Sequence, residues 1–372
     1  MLYTQLKHRL LKVHIVLTSN TRRINHISKR IVSIDILRGI SILMMGQYHF
    51  MRWFINEDIL PRWLYNLIYI PGRLAAPFFL MISGISAVMF FNNYKNNRAN
   101  VNKIYMTTLK RGLFLLCLTL PLNFAASYIF HSGSIWEWNI FQLLAISIML
   151  TVFIGLWRLY FLIPSLIIVF LLYDTFPVSP FSVGIVPILP WLNYFFVGSI
   201  FGLVMYNYFQ KNDKRFQHFN LMIMGLLSFT FVFIFLSLDG TPTVKSVLHH
   251  RASWRSMTII AIFFASILIL VEGVKRHSPN MSFLRNLGLV SLSVYYIHIL
   301  YKYFIVTLLQ ICGQNNIKSH LGTVDWIIIN AVFWIMLYIF IKHMWEPQRF
   351  IYGIEWFMSK YISPRSVITG IK

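Results

Sequence analysis

The stretch SIDILRGISILMMGQYHFMRWF, residues 33–54, carries Asp35, Arg38 and His49 in a run otherwise apolar enough to cross a bilayer. A spanning helix needs about 20 mainly apolar residues. An ionisable side chain within one is costly unless it is paired or faces a wet cavity, so such residues are functional candidates by default. The eleven-residue step from Arg38 to His49 turns a helix through about 1100°, about 20° from three whole turns, and rises about 16 Å. Arg38 and His49 therefore point to one side of a bundle, with Ile42 and Met45 between them. Arg38 sits near the helix end, where it can snorkel or pair with Asp35 at i, i+3. Depth alone accounts for Arg38 as well as function does, whereas His49, in the far half of the span, is harder to explain as packing.

The surrounding chain fits a membrane setting. Its 372 residues are 57% hydrophobic, 17% aromatic and only 12% charged, with a mean hydropathy of +0.64, a mixture that would not keep a water-soluble domain in solution. The expected fold is an all-α, polytopic bundle of about ten transmembrane helices with cytoplasmic termini. The spans fall near 33–54, 74–91, 109–130, 140–156, 159–173, 186–206, 221–238, 257–274, 287–311 and 326–344. Residues 1–32 then form a basic cytoplasmic tail, 33–346 the membrane domain and 347–372 a C-terminal cytoplasmic tail. The net charge of +22 lies between apolar runs rather than in one patch, which speaks for topology and against nucleic acid. Basic clusters such as Lys95 to Lys103, Lys211 to Arg215 and Lys275 to Arg285 alternate with loops at 133–136 and 175–184 that hold no Lys or Arg. Lys245, Arg251 and Arg255 are the exception, on a side that should be poor in them. Cys117 and Cys312 lack the spacing of a disulfide framework or thiolate site.

Other polar residues stand out in the spans. Ser291, Tyr295, His298 and Lys302, at steps of 4, 3 and 4, form one helical stripe, which serves either as interhelical glue or as a wall of a site. Pro77 and the run Ser83-Gly84-Ile85-Ser86 suit close helix approach. Lys110 and Arg111, with Arg38, offer a cytoplasmic phosphate site, although positive-inside topology explains them too. The sequence holds no Walker loop, no GxGxxG after a strand, no H-E-x-x-H and no carboxylate cluster, which argues against ATP hydrolysis, dinucleotide chemistry and zinc proteolysis.

Arg38, ten residues and His49, opened by Ser33-Ile34-Asp35-Ile36-Leu37-Arg38-Gly39, resemble the first helix of the transmembrane acyltransferases. Four further blocks resemble the heparan-α-glucosaminide N-acetyltransferase-like branch: residues 77–86, Gln142-Leu143-Leu144-Ala145-Ile146, residues 187–198 and residues 287–298. The resemblance runs in order from about residue 30 to 345. It implies an enzyme that takes an acyl group, acetyl in the first place, from cytoplasmic acyl-CoA. The acceptor it implies is an amine or hydroxyl on a sugar or glycoconjugate at the outer face of the plasma membrane, and no metal is required. His49 matches the catalytic histidine, acting as general base or through an acyl-His49 intermediate. His298 would position or polarise the acyl carbonyl, Arg38, Lys110 and Arg111 would hold CoA, and Asp35, Gln142, Ser291 and Tyr295 would support the site. The partners are then acyl-CoA, the glycoconjugate and the bilayer, with oligomer formation left open.

Two departures from the family pattern bear on the chemistry. Tyr48 stands where many bacterial members have an acidic residue before the histidine, and His249-His250-Arg251-Ala252-Ser253 replaces a Lys-Tyr-Pro-Pro-Ser-like stretch. The alternative is a proton-coupled transporter using His49, His298 and Lys302 as a pathway. Related halves with broken helices, which such transporters usually show, are not found here.

The charge pattern makes a direct prediction. Introduced cysteines between Lys95 and Lys103 are expected to be labelled from the cytoplasm and those between Gly133 and Trp136 from outside; the reverse pattern would remove the cytoplasmic route for acyl-CoA.

Overall fold

A computed structural model of the chain describes residues 31–96, 101–130, 139–155, 188–209, 254–275, 281–313 and 321–362, together with positions 165, 167–169 and 171. The regular structure of the described residues is helical. Its elements are α1 Val32–Phe54, α2 Arg62–Asn96, α3 Val101–Phe130, α4 Ile140–Gly155, α5 Ile188–Phe209, α6 Trp254–Lys275, α7 Ser282–Leu289, α8 Ser291–Ile311, α9 Thr323–Ile339 and α10 Ile354–Phe357. Among the described residues, Arg62–Asn92, Ser291–Ile311 and Thr323–Trp345 are long and apolar enough to cross a membrane, and Ile140–Val152, Trp191–Tyr206 and Ser256–Ile269 are shorter apolar helices. This is the all-α architecture of an integral, multi-pass membrane protein. α1 has the length, 23 residues, but Asp35, Arg38, His49 and Arg52 dilute its apolar run.

Three expectations need adjustment. The span expected at 287–311 is two helices, because Val290 leaves helical geometry at φ −116° and ψ 26° and separates α7 from α8. The span expected at 326–344 is α9 continued by a π-helical turn, Phe340–Trp345. The segment expected as a C-terminal tail is folded through Ile362, and its Glu355 reaches the start of α8. The span expected at 221–238, and that at 159–173 apart from five positions, lie outside the described residues, as does the stretch at 249–253.

α1 is the central element, packed against α2, α6, α7, α8 and α9. Ile34, Leu37, Ser41 and Met45, at helical spacing, are buried along it. Lipid tails are as apolar as leucine, so association between such helices rests on close packing and polar contacts rather than on hydrophobic burial. Two glycine crossings supply the close packing. A Cβ added at Gly39 of α1 would overlap the carbonyl of Leu284, and one at Gly288 of α7 would overlap the carbonyl of Asp35. α2 and α5 repeat the arrangement, with Gly84 against the carbonyl of Phe195 and Gly198 against that of Met81. The small-residue run of α2 is thus a helix contact, and Ser83 Oγ donates to the Phe79 carbonyl at 2.7 Å within its own helix.

Gly288→Ala puts a methyl group where a backbone carbonyl lies. It is expected to destabilise the protein by at least the roughly 1–3 kcal/mol typical of overpacking, read as a fall in the thermal unfolding midpoint in detergent. Gly322→Ala is the control, since its Cβ would meet only Asp325 Oδ2 at 3.6 Å; equal midpoints for the two variants would contradict the crossing.

Candidate active site

The α1–α7 crossing sets α8 beside the far half of α1, and the two intramembrane histidines meet there. His49 Nδ1 lies 2.9 Å from His298 Nε2, hydrogen-bond distance between residues 249 positions apart. The rings are nearly parallel, at 19°, with centroids 5.2 Å apart. His298 is 2% exposed, whereas His49 is only partly buried. The inner ring is therefore sealed in protein while the outer one faces accessible space. Of the two facing nitrogens, His49 Nδ1 and His298 Nε2, one donates and the other accepts, and which does so depends on the tautomers of the two rings. His49 Nε2 lies outside this hydrogen bond.

Aromatic rings hold this arrangement. Trp53 lies 4.9 Å from the His49 centroid and 5.4 Å from that of His298, nearly parallel to the latter at 16°. Tyr295 stands edge-on to His298 at 4.9 Å and is itself met edge-on by Phe141 at 4.7 Å. Lys302 Nζ sits 4.9 Å from the Trp53 ring centroid, a cation–π contact. Trp53 and Lys302 are each four residues beyond a histidine, so both sit one turn further along the same helical face.

At the other end of the stripe, Arg38 is fixed by two helices. Its Nη2 donates to Ser86 Oγ of α2 at 2.7 Å, and its Nη1 is 3.7 Å from Asp35 Oδ1. Ser86 Oγ in turn donates to the Ile82 carbonyl at 2.8 Å, so the hydroxyl acts in both senses. Arg111 lies over Phe90 at 4.6 Å, one turn from Ser86 on α2, so Arg38 and Arg111 share a face of that helix. Lys110 is exposed.

The expected site residues thus divide. His49, His298 and Tyr295 are brought together, and Arg38, Asp35 and Arg111 gather at the opposite end of the stripe. Ser291 is buried at the first position of α8. Gln142 caps α4 instead: its Oε1 accepts from Asn139 N–H at 2.9 Å, while Asn139 Oδ1 accepts from Phe141 and Gln142 N–H. Trp53 joins the pair without having been singled out in the sequence, and its i, i+4 spacing from His49 is the signal that finds it. A groove of about 530 Å³ between α1 and α9, lined by Gln47, Asn330 and Trp334 among others, lies on another side of α1. Gln47 is about 200° around the helix from His49, so this groove is separate from the pair. Among the described residues no cluster of His, Cys, Asp and Glu is arranged to hold a metal ion.

The comparison with family models returns a match over residues 30–235 to heparan-alpha-glucosaminide N-acetyltransferase, catalytic. No curated protein matches the chain. The family match supports acyl transfer and lends nothing to the transporter alternative.

Proposed function

The chain belongs to the heparan-alpha-glucosaminide N-acetyltransferase catalytic family and is a membrane-embedded acyltransferase; from that premise we propose that it carries an acetyl group from cytoplasmic acetyl-CoA to an amine or hydroxyl of a sugar or glycoconjugate at the outer face. In this reading the bundle has ten spans in the plasma membrane, with tails 1–32 and 347–372 in the cytoplasm. The observation that carries it is the His49–His298 hydrogen bond at the end of the stripe that begins at Arg38.

His49 Nε2 removes the proton from the acceptor as the acceptor's nitrogen or oxygen attacks the thioester carbonyl. The tetrahedral intermediate then collapses: the C–S bond breaks, the sulfur takes the proton from His49, and CoA leaves as the free thiol. A neutral imidazole can accept and return that proton near neutral pH. His298 orients His49 and fixes its tautomer, the task a carboxylate performs in many catalytic histidines. Arg38, about 16 Å back along α1 from His49, and Arg111, over Phe90 of α2, would meet the phosphates of CoA, with Asp35 and Ser86 holding Arg38 in position. Lys110 adds an exposed positive charge to the same helix as Arg111.

The test is transfer of radiolabelled acetyl from acetyl-CoA to a panel of amino sugars and glycolipids in membrane vesicles. His49→Gln is expected to lower the rate by about 10² to 10⁴, the usual worth of a general base, with acetyl-CoA binding retained. His298→Gln is expected to cost about tenfold, as a group acting through another does. Wild-type turnover by His49→Gln on an accepted substrate would show the histidine to be structural.

A further inference from the structure

The helix that carries His298 is held at its start by a residue more than 60 positions away in sequence. Glu355 Oε1 accepts from Leu292 N–H at 2.6 Å and from Ser293 N–H at 3.3 Å, and Glu355 Oε2 accepts from Ser293 Oγ at 2.5 Å. Ser293 Oγ accepts in return from Ile354 N–H at 2.7 Å. Leu292 and Ser293 lie in the first turn of α8, where N–H groups have no intrahelical carbonyl to meet. A carboxylate there satisfies them and also opposes the positive end of the helix dipole.

Delivery of Glu355 requires an unusual backbone. Arg349, Phe350 and Tyr352 have φ values of 55°, 57° and 68°, the left-handed region that non-glycine residues seldom occupy. The turn is tied by Trp345 Nε1–H donating to the Ile351 carbonyl at 2.7 Å and Phe350 N–H donating to the Trp345 carbonyl at 2.9 Å. Gly353 then passes so close that a Cβ would stand 2.8 Å from the Trp345 ring and 3.1 Å from Ser293 Oγ. Strain of this kind persists only where the surroundings over-determine it. Here it aims one half-buried carboxylate at one helix end. Burial raises the Glu355 pKa above the ordinary carboxylate value, against the pull of the hydrogen bonds from Ser293 and Leu292.

α7 is pinned to α1 at Gly288, but the break at Val290 leaves α8 a hinge between that pin and His298. We propose that Glu355 is a positioning residue: by clasping the first turn of α8 it fixes the direction in which that helix presents His298 to His49. The proposal rests on the acyl-transfer reading of the histidine pair.

The experiment is a double-mutant cycle on acetyl transfer in vesicles, with kcat and the KM for acetyl-CoA measured for Glu355→Ala, Glu355→Gln, His298→Gln and Glu355→Ala combined with His298→Gln. Glu355→Ala is expected to lower kcat several-fold, up to about the tenfold cost of losing His298 and no further, because it acts through that residue, with KM little changed. Glu355→Gln keeps a carbonyl oxygen for the two N–H groups and is expected to recover most of the rate. In the His298→Gln background the alanine change is expected to add nothing, as for residues that act as a unit. If Glu355→Ala does not fold, Ser293→Ala takes its place in the cycle, with a several-fold loss and the same non-additivity expected. Losses that multiply across the cycle, or no loss at all, would overturn the clasp. Full activity of both His298→Gln and His49→Gln would instead overturn the histidine reading on which it rests.

Discussion

Everything at the site depends on how closely two backbones approach where Gly39 of α1 meets Gly288 of α7. Each glycine faces a carbonyl of the other helix at a separation that leaves no room for a Cβ. Because lipid gives helices little reason to associate, a contact this tight is what fixes their relative position. Ten residues beyond Gly39 along α1 is His49, and ten residues beyond Gly288 in the chain is His298. The crossing and the equal step beyond it bring the rings to 2.9 Å. The break at Val290 makes that meeting depend on a second anchor, which the C-terminal segment supplies.

The pair also resolves a chemical difficulty. A lone imidazole in a bilayer has no fixed tautomer, and Tyr48 occupies the place where relatives carry an acid beside the histidine. The structure answers with a second histidine, whose Nε2 lies 2.9 Å from His49 Nδ1. A neutral orienting group avoids placing an unpaired carboxylate in a low-dielectric site, where its desolvation would be costly. Trp53 and Tyr295 close the sides of the pair, leaving the His49 face as the accessible one.

Much of this was legible in the sequence. The Arg38 to His49 step gave a shared face because helical periodicity is a local property, and the stripe from Ser291 to His298 was visible for the same reason. The family blocks followed from the same residues. Contacts made across the fold were not visible: that Arg38 would donate to Ser86, that Gly39 would meet Gly288, and that Glu355 would return to α8 all depend on packing between distant segments. Gln142 shows the converse. It lies in a matching block and pairs with Asn139 as a helix cap, a local signal carried by the Asn-x-x-Gln spacing. The α7–α8 break was hidden because residues 287–311 read as one apolar run whose composition does not register a single non-helical residue.

In the proposed reaction the acyl group is handed over at the His49–His298 pair. A structure of the protein in a lipid disc with a non-hydrolysable acetyl-CoA analogue tests it most directly. Transfer at the pair requires the acyl carbon beside His49 on its Nε2 side, close enough that an acceptor within hydrogen-bond reach of that nitrogen, about 2.6–3.2 Å, would stand over the carbonyl, with the CoA phosphates toward Arg38. An acyl carbon lodged away from the pair, for instance in the groove lined by Gln47 and Asn330, would contradict it.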